Sequence, residues 1–129
     1  MKTSKGEHKF VEKLWGFEIW YVNKEEYCGK LLHINKGWSC SWHRHTLKDE
    51  TFVITKGLMQ ITSGYQPDRS DAVVSLLEPG DSFHVPVGLI HQMLAIEELE
   101  FYEFSTQHFD SDSERIEVGG YFGEDSYIC

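Results

Sequence analysis

Short runs in which apolar and polar residues alternate recur along this chain, each bounded by glycine, proline, asparagine or aspartate. An alternation of two is what a strand with one buried face requires, and runs this short leave no room for a long helix. The expected strands are residues 17–22, 30–35, 39–45, 51–55, 58–62, 72–77, 82–85, 91–96 and 101–106. Residues 63–71 form the longest loop-like stretch, and 109–117 are a charged excursion after the last strand. Eight Phe, six Tyr and four Trp in 129 residues suit half-buried pleated surfaces. A chain of this length forms one domain, so the expectation for 1–129 is a single all-β barrel. Its core covers about residues 15–107, and 108–129 are a charged C-terminal extension.

Two segments carry chemistry. From Gly37 to Gly57 the pattern is G-x5-H-x-H-x4-E-x6-G, built on His43, His45 and Glu50. Histidines two apart on a strand share a face, roughly 6–7 Å apart along it, so both reach one ion. Residues 46–49 are enough to turn the chain, which starts Glu50 on a neighbouring strand with its carboxylate beside the imidazoles. Gly57 then permits the next tight turn. From Gly80 to His91 the pattern is G-x5-P-x-G-x2-H, in which Pro86 and Gly88 fix a sharp turn that delivers His91 as a fourth ligand. Three neutral imidazoles and one carboxylate suit one divalent transition metal: Zn, Mn, Fe, Ni or Co.

These segments resemble the paired motifs of the cupin superfamily, and the resemblance runs from Gly37 to His91. Ala95 stands where many cupins carry Asn. Residues 13–18 (KLWGFE), 27–37 (YCGKLLHINKG), 81–91 (DSFHVPVGLIH) and 103–106 (EFST) are similar to stand-alone cupins related to mannose-6-phosphate isomerase. They also resemble the C-terminal domain of bifunctional mannose-6-phosphate isomerase/mannose-1-phosphate guanylyltransferases. The resemblance implies a double-stranded β-helix, or jelly roll, and a metal-dependent interconversion of an aldose phosphate and a ketose phosphate.

That reaction moves a proton between adjacent carbons, so it needs a Lewis acid and a nearby base. Glu103 and His33 are the candidate bases. A phosphorylated carbohydrate also needs cations at the mouth, because the chain's net charge of −9 otherwise repels it. Lys30, Arg44, Lys48 and Arg115 are available. Arg44 lies between two inward histidines and faces outward by alternation, while Lys30 stands in a family-like segment and is the expected substrate contact. Three function classes stay open: a sugar or sugar-phosphate isomerase, an Fe(II)-dependent dioxygenase of small molecules, and a non-catalytic sugar-binding or regulatory module.

The charge excludes a basic field for nucleic acid. No apolar run approaches the roughly 20 residues a membrane span needs, and the first nine residues carry no secretion signal. Three cysteines, Cys28, Cys40 and Cys129, are too few for a disulfide framework, so a reducing cytoplasm is expected. By alternation Cys40 packs on the face opposite His43 and is no ligand. Trp38 and Trp42 fall on the face opposite the ligands and need cover, which a homodimer or an N-terminal segment can supply.

Overall fold

The structure, a computed structural model, describes residues 5–123. Nine antiparallel strands run in chain order: β1 (Lys9–Lys13), β2 (Gly16–Asn23), β3 (Cys28–Ile34), β4 (Trp42–His45), β5 (Glu50–Gly64), β6 (Val73–Leu77), β7 (Ser82–Val85), β8 (Ile90–Ser105) and β9 (Ser113–Glu117). A 3-10 turn, Asp110–Asp112, precedes β9. They form one curled sheet ordered β1-β2-β3-β8-β4-β9, with β5 pairing β6, β7 and β8. No helix among the described residues is long and apolar enough to cross a membrane. Cys129 lies outside the described residues.

Two expected pairs of strands are fused. Residues 51–55 and 58–62 belong to the continuous β5, and 91–96 and 101–105 to the continuous β8, which stops one residue short of the expected end. Gly57 makes no hairpin. It sits where the β5–β8 register slips between Ile54 and Met59, with φ +92°, and a Cβ there would meet the Glu98 carbonyl oxygen at 2.1 Å. Bulges of this kind bend a strand without ending it. The first part of β5 therefore pairs with β7 and the later part with β6, while β8 follows it throughout.

Alternation on β3 turns Cys28, Lys30, Leu32 and Ile34 inward. In register beside them on β8, Ile34 faces Leu99, Leu32 faces Phe101 and Lys30 faces Glu103. The interior is thus graded along the strands. At one end Ile34, Ile54, Met59, Ile61, Leu99 and Phe101 form a dry core, and at the other the same inward rows end in charge.

The phase that turns Glu103 inward turns His33 outward, which corrects its candidacy as a base. His33 stacks on Phe17 at 4.9 Å, and its ring nitrogens contact Glu100 Oε2 at 2.8 Å and Glu98 Oε2 at 2.6 Å. The tryptophans also find cover within the chain. Trp42 is fully buried; its Nε1 donates to the Pro67 carbonyl at 3.1 Å and the Arg69 guanidinium lies 4.3 Å above the ring. Trp38 packs on Tyr121 at 5.5 Å. Neither ring requires a second subunit, so the reason for expecting a homodimer from them falls away.

β1 and β9 are absent from the expected strands because neither alternates: most of their residues are exposed, and they pair along the sheet's two margins. The segment read as a charged excursion therefore supplies a strand beside β4.

Two outcomes follow from this architecture. Gly57→Ala combines a left-handed backbone with a clash against backbone, and should cost about 2–4 kcal/mol in urea unfolding; a change near zero would mean that β5 can straighten. For His33, burial alone depresses the imidazole, but its hydrogen bonds to Glu100 and Glu98 overcome that and raise it above 6.5. A raised folded-state value contributes stability that is complete below the unfolded value and disappears as pH rises through the folded one. His33→Gln should therefore lose more stability at about pH 6 than at about pH 9, and an equal loss at both would refute the charged contact.

Candidate metal centre

β4 is short, and its two histidines both reach the cavity at the charged end of the barrel. His91, at the start of β8, is the register partner of His43. The turn before it is tied to the same strand: Leu89 N–H donates to the Pro86 carbonyl at 3.2 Å, and Gly88 N–H, at φ +89°, donates to the His45 carbonyl at 2.9 Å. This is how Pro86 and Gly88 set His91 beside the His-x-His pair. One ligand atom from each of His43, His45 and His91 lies within 4.8 Å of the others, so the three could hold a metal ion.

The ring environments fix which nitrogen each offers. His43 Nδ1 lies 2.8 Å from the Ser41 carbonyl and His91 Nδ1 lies 3.0 Å from the Leu89 carbonyl. A carbonyl only accepts, so both Nδ1 atoms carry the proton and both Nε2 atoms present a lone pair. Burial, reinforced by His91 beside it, pushes His43 down to about 4; burial pushes His91 down to about 4. Burial and then the Lys48 charge push His45 down to about 2. All three are neutral near neutral pH, the form that binds metal.

Glu50, the first residue of β5, brings Oε2 within 3.3 Å of His91 Nε2 and 3.5 Å of His45 Nε2. Glu50 Oε2 and His91 Nε2 are both buried and have no hydrogen-bond partner among the described residues. Orphaned buried acceptors are costly. Burial and the neighbouring Glu103 charge push Glu50 up to about 8, the response of a carboxylate placed where a cation is wanted. The donor set therefore fits a divalent transition metal, with two orphaned atoms that one ion would satisfy together.

Around these four residues the cavity, about 480 Å³, continues to Lys30, Lys48, Glu103 and His108. Lys48 is 3% exposed. Its Nζ lies 3.0 Å from Glu103 Oε2, 3.6 Å from Glu50 Oε1 and 3.1 Å from His108 Nδ1, whose Nε2 in turn meets Asp110 Oδ1 at 2.9 Å. Burial opposes charge on both Lys48 and Glu103. The Glu103 and Glu50 charges nonetheless hold Lys48 above the ordinary lysine value, and Lys48 with Lys30 holds Glu103 well below the carboxylate range. Lys30, 2% exposed, lies 4.2 Å over Trp20 with Glu18 Oε1 3.6 Å away.

The structure thus brings together His43, His45, Glu50, His91, Glu103 and Lys30, and leaves out His33. Lys48 comes forward from the four cations considered; its position two residues before Glu50 was the available signal. Arg44 points away, as alternation requires, and pairs with Glu114 at 2.9 Å, while Arg115 borders the cavity. His108 and the buried Asp112 escape sequence reasoning because they lie in a charged segment with no spacing motif. Alternation also fails for Cys40: no regular strand covers Cys40 and Ser41 just before β4, and both border the cavity. Its thiol packs 3.6 Å from Met93 Sδ, and burial pushes it up to about 12, which keeps it protonated.

No protein-family model matches the sequence, and no curated protein sequence matches it. Solved structures do. The capsular polysaccharide assembling protein CapF from Staphylococcus aureus superposes with a TM-score of 0.76 at 15% identity, over 87% of this chain and 33% of CapF. Oxalate decarboxylase from Bacillus subtilis gives 0.73 at 16% identity, over 88% of this chain and 31% of that one. KdgF from Halomonas sp. gives 0.68 at 15% identity, over 81% of this chain and 90% of KdgF. The chain spans about a third of CapF and of oxalate decarboxylase. These neighbours are cupins, and the superposition covers at least 81% of this chain in each case, so its fold is the cupin fold.

Proposed function

We propose that this chain is a metal-dependent cupin enzyme that interconverts the aldose and ketose forms of a sugar or sugar phosphate. Its ligands are His43, His45, Glu50 and His91, and its base is Glu103. The observation that carries this reading is the juxtaposition of two kinds of carboxylate: Glu50, with an orphaned oxygen beside two imidazoles, and Glu103, held ionised by a buried lysine. A bound divalent ion would polarise a carbonyl or hydroxyl of the ligand.

The other tasks fall to the chain's own residues. Glu103 is ionised yet desolvated, with Ser105 Oγ donating to its Oε2 at 3.1 Å and Lys48 Nζ on the same oxygen. It can take the proton from one carbon and return it to the adjacent one, while the hydroxyl proton on the second carbon's oxygen passes to the former carbonyl oxygen, so both protons stay within the substrate. Lys48 keeps the carboxylate charged before the first transfer and favours its return to that form after the second. Lys30 has one loose carboxylate partner for three N–H groups, and that spare capacity suits a phosphate or a second hydroxyl. The structural likeness to a capsular polysaccharide assembling protein gives a carbohydrate context, which supports the choice of substrate class. The same reading places the chain in the cytoplasm, where the buried thiols of Cys28 and Cys40 stay reduced.

His43→Ala, His45→Ala, Glu50→Ala and His91→Ala should each lower the metal content of purified protein, and added metal should raise the unfolding midpoint of the wild type more than that of the variants. Full metal stoichiometry in His91→Ala would remove that residue from the ligand set. Under anaerobic conditions, a panel of aldose phosphates and free aldoses should include one converted to its ketose. Glu103→Gln should lower kcat for that substrate about 10²–10⁴-fold with metal retained. Iron-dependent oxygen uptake with no anaerobic exchange would instead assign the site to a dioxygenase, and binding without turnover to a sugar-binding module.

A further inference from the structure

Asp112 lies outside both motifs, in the 3-10 turn that precedes β9, yet its carboxylate is buried against the β4–β5 turn. One oxygen, Oδ1, accepts from Thr46 N–H at 2.7 Å, Thr46 Oγ1 at 2.8 Å and Leu47 N–H at 2.7 Å. The other, Oδ2, accepts from Lys48 N–H at 3.1 Å and lies 3.5 Å from His45 Nδ1. Three consecutive backbone N–H groups therefore close on one side chain. The segment they belong to, residues 46–48, joins His45 to Glu50 and carries Lys48 itself.

His45 also differs from its two neighbours. His43 and His91 each set Nδ1 on a backbone carbonyl at hydrogen-bond distance, whereas the groups facing His45 Nδ1 are Asp112 Oδ2 and Ser113 Oγ, both at 3.5 Å. A side-chain carboxylate from the C-terminal segment takes the place that backbone fills at the other two. Such groups fix ring orientation and tautomer, and their loss weakens metal binding without touching a ligand.

Building on the reading of this site as a metal centre, we propose that Asp112 is its positioning residue: it clamps the turn that sets His45, Lys48 and Glu50 in place, and its charge faces His45 Nδ1 so that Nε2 is turned to the ion. The C-terminal segment is then part of the centre, although it contributes no ligand.

Asp112→Asn tests this, because the amide oxygen can still accept the three bonds to Thr46 and Leu47 while the charge and the acceptor for Lys48 N–H are lost. Thr46→Val is the comparison: it removes one hydrogen bond and leaves the carboxylate facing His45. Competition titrations with Zn(II) and Co(II) against a chelating indicator should show affinity about 10–100-fold weaker in D112N and near wild type in T46V, with similar metal-free unfolding midpoints for the two variants. Wild-type affinity in D112N, or an equal loss in T46V, would overturn the proposal. So would a D112N protein that fails to fold without metal, which would assign the carboxylate to the stability of the turn alone. A wild-type protein that binds neither ion is a different result, and sinks the metal reading beneath it.

Discussion

The buried contact between Lys48 and Glu103 is the constraint around which the open end of the barrel is organised. At 3.0 Å and an effective dielectric of about 20, the attraction is about 5–6 kcal/mol. Removing each ion from water costs several kcal/mol in return, so the pair comes close to breaking even against an apolar isostere. Stability alone therefore does not explain why the inward rows abandon Leu, Ile and Phe for Lys and Glu after Leu32 and Phe101. What the pair does provide is a carboxylate that stays ionised without water, beside a second carboxylate that does not. Glu50 and Glu103 sit in one cavity, and burial raises both; the lysines resolve the competition by lowering Glu103, leaving Glu50 as the group a cation completes.

This gradient along the interior rests on backbone geometry. β5 and β8 each contribute residues to the dry core and to the site, which a straight strand of their length could not do while staying packed. The bend at Gly57, opposite Glu98, allows β5 to run from Glu50 in the cavity through Ile54 to Met59 and Ile61 in the core. Likewise β8 begins with His91 in the site, passes Ala95 and Leu99 in the core, and returns to the site at Glu103. Ligand placement and core packing are consequently properties of the same two strands, and a change in their register would disturb both.

Much of this was legible in the sequence, for a stated physical reason in each case. Period-two alternation identified seven of the strands or their parts, and the turn-forming residues around His43, His45 and His91 placed those side chains together because Pro86 and Gly88 permit few alternatives. Alternation failed where its premise failed. The break in strand structure at Cys40 and Ser41 leaves Cys40 at the cavity, and the slips around Gly57 turn an expected hairpin into a bend. The phase of β3 and β8 cannot be read without knowing their partners, which is why both His33 and Glu103 are candidates from sequence and the register is needed to separate them. The need to cover Trp38 and Trp42 was read correctly; the cover comes from Tyr121, Pro67 and Arg69, distant in sequence and carrying no signal of their function there.

The charged C-terminal segment is the part of the molecule that sequence patterns describe least, yet it borders the site through His108, Asp110 and Ser113. An edge strand with solvent on most of its side chains has no reason to alternate, so β9 looks like a loop. A carboxylate whose partners are backbone N–H groups looks like any other acid, because backbone donors leave no trace in the identity of the residues that own them. Asp112 meets three such donors, and beside them it faces the side chains of Thr46 and His45. The same logic explains why the four proposed ligands stand out in the sequence: their spacing is dictated by strand geometry and turn length, both of which constrain residue type. Groups that orient ligands through the backbone escape that constraint, so they have to be found by asking where each buried carboxylate's hydrogen bonds go.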